Sequence, residues 1–267
     1  MRKTTCTTLV ETGLDFFVHE DNLEAKIRSN YKNRGGDFKS FKKQFYIPYK
    51  KKHLNIKDIT QEAVFDKVEL LEKYFQQADI FNQGNWISFQ SKFRPTILEE
   101  FCAYLFKDLP QVRSLGLTFF KKGVYAGLDI DKDGKVRIRT KDIDFCIGKV
   151  VEAEFANRSY EIKIPIVGVE CKTYIDNTMF SEAQFTAQKL KGGSPRIKVF
   201  VIAERNEIDI NQLPSQSPVD QIYVLRGRRS SPIEPQVVWE FFSEVKDAIR
   251  KVSMERVIKL PGKLLVF

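Results

Sequence analysis

With 267 residues, 42% of them hydrophobic and 22 of them phenylalanine, the chain can bury a substantial core, which excludes a largely disordered protein. Its 44 Lys and Arg against 35 Asp and Glu leave a net charge of +9, which suggests a polyanionic partner. Four scattered cysteines (Cys6, Cys102, Cys146 and Cys171) argue against a disulfide framework or a zinc site, and the absence of a long apolar run or signal peptide leads us to expect a soluble, cytoplasmic protein with no membrane partner.

The basic excess is uneven. From Met1 to Thr60 there are 13 basic and 7 acidic residues, so about two thirds of the net charge lies there. Within that stretch, Lys42, Lys43, Lys50, Lys51 and Lys52 alternate with Phe41, Phe45, Tyr46 and Tyr49. The lysines could track phosphates, while the aromatics fit a core better than a stacking platform. Residues 1–90 are expected to form a basic, helical, DNA-contacting region and residues 91–267 the main α/β core with a C-terminal helix.

Val64, Phe65, Val68, Leu71 and Phe75 recur at helical spacing and predict a helix over Gln61–Gln77, broken at Asn82-Gln83-Gly84-Asn85. Pro95 opens a second helix with Ile97, Leu98, Phe101, Cys102 and Leu105 as its buried stripe. After Pro110 the period changes to that of strands: Leu115–Phe120, Val124–Ile130, Val136–Ile147 and Tyr160–Lys172. Asp133-Gly134 turns one hairpin and Asn157-Arg158 another. Phe180–Lys191 reads as a helix, Ile197–Ala203 and Ile222–Leu225 as buried strands, and Gln236–Lys251 as a final helix. The order implies a mixed sheet with helices on both faces.

Two of these strands carry chemistry. Side chains alternate along a strand, so Glu170 and Lys172 share one face while Val169 and Cys171 take the other. If the strand containing Asp142 and Asp144 pairs with this one, a carboxylate from the first meets the carboxylate and ammonium of the second. Two carboxylates are hard oxygen donors suited to Mg²⁺, which polarises a phosphate and activates water, while the lysine orients that water. By contrast, Asp129-x-Asp131-x-Asp133-Gly134 resembles a calcium loop only at its start. Its twelfth position is Thr140 rather than Glu, so these acids read as a solvated turn. His19 and His53 are too isolated to make a site.

Asp144 followed by Glu170-Cys171-Lys172, with a Glu99-Glu100 helix before and a Gln184/Gln188 helix after, resembles the PD-(D/E)XK nuclease core. Four strings narrow the likeness: Arg94-Pro-Thr-Ile-Leu-Glu-Glu-Phe101, Thr140-Lys-Asp-Ile-Asp-Phe-Cys-Ile-Gly148, Val169-Glu-Cys-Lys-Thr-Tyr174, and Ile222-Tyr-Val-Leu-Arg226 ahead of Val238-Trp239. In this order they resemble the restriction endonuclease BbvCI and its relatives, which cut sites built around a CCTNAGC-like core; the likeness runs from about Phe93 to Val245. It implies a restriction-endonuclease-like mixed β-sheet flanked by helices. It also implies a type II, Mg²⁺-dependent, site-specific deoxyribonuclease acting on double-stranded DNA as a homodimer, or as a heterodimer with a related subunit.

Carried over, the resemblance makes Asp144 and Glu170 metal ligands, with the Cys171 carbonyl as a third, and Lys172 the residue that positions water. Asp144 is preferred to Asp142 because it precedes the apolar run Phe145-Cys146-Ile147. Glu99 adds a further acid from the first helix, with Glu100 as the alternative; Gln184 and Gln188 are candidates to touch the scissile backbone. Arg226, Arg228 and Arg229 could read guanine in the major groove. The rivals are a structure-specific repair nuclease and a non-catalytic DNA-binding subunit, which a plasmid digest separates from a restriction enzyme.

Overall fold

The structure, a computed structural model, describes residues 15–88, 91–155, 158–209 and 216–253. Three helices lead the chain: α1 (Val18–Arg28), α2 (Gly35–Phe41) and α3 (Ile47–Asn55), the last two joined by a π turn over Lys42–Tyr46. The alternation of lysine and aromatic seen in the sequence resolves here into two faces. Phe38, Phe41, Tyr46 and Tyr49 are buried, whereas Lys43, Lys51 and Lys52 are exposed. The aromatics therefore build core and cannot serve as stacking platforms. Lys42 and Lys50 are tied to Glu20 at 2.8 and 2.6 Å.

Thr60 caps α4 (Gln61–Phe81) by accepting from the Ala63 amide at 3.2 Å. The helix runs one turn beyond the expected Gln77 because Ala78 extends its buried stripe. Next comes α5 (Pro95–Phe106), buried on every side from Thr96 to Phe106, Glu99 and Glu100 included. Buried carboxylates need partners, and these two find theirs in different parts of the fold.

After α6 (Pro110–Ser114) come β1 (Thr118–Phe120), β2 (Val124–Ile130), β3 (Val136–Lys141), β4 (Phe145–Phe155) and β5 (Arg158–Lys172). They are followed by α7 (Asn177–Gly193), β6 (Lys198–Ala203), β7 (Gln221–Val224) and α8 (Pro235–Ser253). The sheet runs β1-β4-β5-β2-β3, with β6 beside β5 and β7 beyond β6. β4 and β5 form a long antiparallel pair, while β5, β6 and β7 are parallel, so the sheet is mixed. Two expected strands need correction. Leu115 belongs to the end of α6, and β1 is only three residues long. Val136–Ile147 is two strands, not one, separated by residues 142–144. Arg158 opens β5 instead of turning, and residues 156–157 and Cys6 lie outside the described residues.

β5 changes neighbours midway: Lys163 pairs with β2, and from Val167 onward its partner is β6. Pro165, which has no amide hydrogen to donate, sits at the change beside a bulge in the β4 register. Gly148 is required opposite it, because a Cβ there would stand 2.2 Å from the Ile164 carbonyl oxygen. One face of the sheet packs Phe145, Val167, Val169 and Cys171 against α5, α8 and the N-terminal helices in a single core. The other packs Cys146, Val199 and Val201 against Ala183, Ala187 and Leu190 of α7. Among the described residues no helix is long and apolar enough to cross a membrane.

Candidate active site

The site begins at the C-terminal end of β5. Alternation sends Val169 and Cys171 into the α5 side of the core and leaves Glu170 and Lys172 on the opposite face, toward α7. The Lys172 Nζ lies 3.0 Å from Glu170 Oε2 and 3.8 Å from Asp144 Oδ2, so one ammonium bridges two carboxylates.

Asp144 arrives by a route that periodicity does not foresee. β3 pairs with β2, but β4 pairs with β1 and β5, so the chain must cross the sheet between them. Residues 142–144 make the crossing, so Asp142 and Asp144 do not share the strand face that one continuous strand over Val136–Ile147 would have given them. Asp142 accepts from the Gly123 amide at 3.0 Å and braces the turn between β1 and β2. Asp144 accepts from the Cys171 amide at 2.9 Å, which fixes its carboxylate against the end of β5.

Burial first, and then the charge of Asp144, push Glu170 up to about 7. Burial works against the Lys172 ammonium, but Glu170 and Asp144 together hold it charged beyond the ordinary lysine range. Glu99 is raised as well, by burial and then by Asp144, and its Oε2 accepts from Lys121 Nζ at 2.5 Å. Such crowding of carboxylates is the electrostatic profile of a site that takes a cation. Among the described residues no three His, Cys, Asp or Glu side chains cluster closely enough to cage one. The donor set is instead two carboxylates open to a cleft of about 580 Å³, which suits a hard ion that completes its shell with carbonyl, phosphate or water oxygens.

Four further lysines ring the cleft: Lys92 before α5, Lys121 and Lys122 after β1, and Lys141 at the end of β3. Sequence reasoning missed them, although Lys121-Lys122 behind one strand and Lys141 just ahead of the acidic pair were visible. A cleft with a carboxylate floor and an ammonium rim suits a phosphodiester.

The sequence model of the Bpu10I restriction endonuclease family matches residues 90–256, a span that holds Glu99, Asp144, Glu170 and Lys172. The chain belongs to that family. It is a type II restriction endonuclease, a site-specific deoxyribonuclease. Its fold is shared with a solved structure described as the native BbvCI A2B2 tetramer, at a TM-score of 0.69 and 20% identity, covering 93% of this chain and 99% of that one. No curated protein matches the chain.

In this Bpu10I-family nuclease the two neighbouring glutamates of α5 point to different places. Glu99 faces Lys121, one of the lysines that line the cleft. Glu100 turns toward the N-terminal helices, where Tyr46 and the His19 amide each donate to it at 2.9 Å, and Tyr104 of α5 itself donates at 2.6 Å. With the Glu20 amide at 3.3 Å added, it caps the start of α1, which has no side-chain cap of its own. Glu100→Ala should leave these donors buried without an acceptor and cost about 3 kcal/mol in urea unfolding. A cost under about 1 kcal/mol would refute the capping role. Burial raises Glu100 from the ordinary 4.5 to about 7. The native state therefore binds more protons than the unfolded chain in that window, so this contribution to stability is full below 4.5 and lost as pH rises through 7.

Other expected residues also fall elsewhere. Arg226 is buried and paired with Glu72 at 3.0 Å, so it holds the fold together and is not free to read bases; Arg228 and Arg229 remain exposed. Gln184 reaches Ser217 at 3.3 Å and Gln188 faces solvent, and neither lines the cleft. The α7 residues that do are Thr178, Ser181, Glu182, Phe185 and Thr186. Asp131 accepts from the Asp133 and Lys135 amides inside the β2–β3 turn, as a solvated turn residue would. His19 bonds to Thr96 and Tyr74, and burial drives it down to about 3, while His53 stacks on Tyr104; both belong to the core.

Proposed function

We propose that this restriction endonuclease cuts double-stranded DNA with Mg²⁺ held by Asp144 and Glu170, assisted by the Cys171 carbonyl. The carrying observation is the meeting of Asp144, Glu170 and Lys172 at one end of β5, under a lysine-rimmed cleft. A strand residue directs its amide and carbonyl toward the same edge, so the Cys171 carbonyl lies on the side where its amide meets Asp144. Held by these residues, Mg²⁺ would supply polarisation of the scissile phosphate and a lowered pKa for the attacking water. Lys172, anchored by two carboxylates, holds that water in line with the phosphorus. Glu99, paired with Lys121, adds its charge to the acidic group around Asp144. Lys92, Lys121, Lys122 and Lys141 hold the flanking phosphates.

One such cluster cuts one strand, so a double-strand break needs a second. We infer that the chain pairs with another nuclease subunit of the same fold, either a second copy or a related chain; the A2B2 composition of the BbvCI neighbour supports this. A plasmid digest by the purified chain alone tests it. Linear product indicates pairing with itself, and nicked circles alone indicate a missing partner.

The metal assignment has its own test. Mg²⁺ or Mn²⁺ should support cleavage, and Ca²⁺ should support binding without cutting, because its looser geometry misplaces the water. Discrete bands that persist in excess EDTA would rule the assignment out.

A further inference from the structure

Phe185 stands on α7 with more than half of its surface exposed, at 54%, and it is the one aromatic among the largely exposed hydrophobic residues described. It is not stranded at random. Thr178, Ser181, Glu182 and Phe185 follow helical spacing along the ridge of α7 that faces the cleft, while Ala183, Ala187 and Leu190 bury the opposite face. Lys141 and Lys189 set their ammonium groups 5.8 and 5.2 Å from its ring centroid. Lys141 is also the residue immediately before the Asp142–Asp144 crossing. An aromatic face bordered by two cations, within the cleft that holds Asp144 and Glu170, combines the two features that bind a nucleic-acid strand. The cations meet phosphates, and the ring meets the apolar edge of a deoxyribose in the duplex backbone.

We propose that Phe185 packs against the DNA strand beside the scissile phosphate and positions it over Asp144 and Glu170, with Lys141 holding an adjoining phosphate. This rests on the cleft being the cleavage site. From Thr178 to Phe185 the helix advances about 10 Å, or roughly three steps of one DNA strand. The ridge can therefore follow several nucleotides of the strand being cut. Because the ring is exposed, removing it takes little from the core, so its loss should appear in DNA binding and not in stability.

The experiment measures binding of a fluorescein-labelled duplex spanning the mapped cleavage position, in Ca²⁺, over a series of KCl concentrations. Phe185→Ala should weaken binding about tenfold, the order of one partly buried apolar side-chain contact. The salt slope should stay at the wild-type value, since an apolar contact releases no counterions. Phe185→Tyr should restore affinity, and Lys141→Gln should lower the slope by about one. Affinity of Phe185→Ala within twofold of wild type overturns the proposal. So does a loss that comes with an altered oligomeric state in gel filtration, which would make Phe185 a subunit contact. Lys172→Ala run alongside separates the two levels. If it cuts like wild type, the cleavage site itself is misplaced; if it is inactive while Phe185→Ala binds normally, only the role of Phe185 fails.

Discussion

Lys172→Ala should lower the rate of plasmid cleavage at least about a hundredfold and leave binding of the same DNA in Ca²⁺ within a few-fold of wild type. The lysine lies 3.0 Å from Glu170 and 3.8 Å from Asp144, so in the proposed mechanism it acts on the attacking water and not on the DNA flanks. Folding should survive the change. Glu170 already has a raised pKa from burial and from Asp144, and without the ammonium it can take up a proton instead of remaining an unpaired buried charge. A near-normal melting temperature together with lost cutting would therefore place the defect in the chemistry. Cleavage within tenfold of wild type would remove Lys172 from the mechanism.

The second large effect separates the two aspartates. Asp144→Asn preserves shape, and its amide oxygen can still accept from the Cys171 amide, but it deletes one of the two charges proposed to hold the metal. Cutting in Mg²⁺ should fall by at least about a hundredfold, as for loss of a group the reaction depends on. Asp142→Asn can keep its bond to the Gly123 amide and changes charge only at the cleft edge, so its rate should stay within several-fold of wild type. The reverse pattern, an inactive Asp142→Asn beside an active Asp144→Asn, would mean that the metal sits on the β1–β2 side of the crossing.

Much of this protein is legible in its residues alone. Alternation along Val169–Lys172 is local, and by itself it puts Glu170 and Lys172 on one face and Cys171 on the other. The stripes of α4 and α5 and the apolar runs of β6 and β7 are local too, and so is the chain order of motifs that marks the nuclease core. What required tertiary structure depends on pairings between distant segments. Whether residues 136–147 form one strand or two is decided by β3 and β4 having different neighbours, and that crossing is what separates Asp142 from Asp144. Glu99 and Glu100 are indistinguishable as adjacent acids. On a helix, however, they point about 100° apart, so one meets Lys121 and the other caps α1. Arg226 reads as a surface arginine until Glu72, 154 positions away, is seen to bury and neutralise it. The lysine rim and Phe185 come from four separate elements, and only packing α7 across the sheet brings them around the same carboxylates. The sequence by itself therefore determined the chemical groups and the strand that carries them, while the tertiary structure decided which of several equivalent side chains reach the cleft, because a side chain's direction follows from its strand partners and helix rotation, which no local pattern encodes.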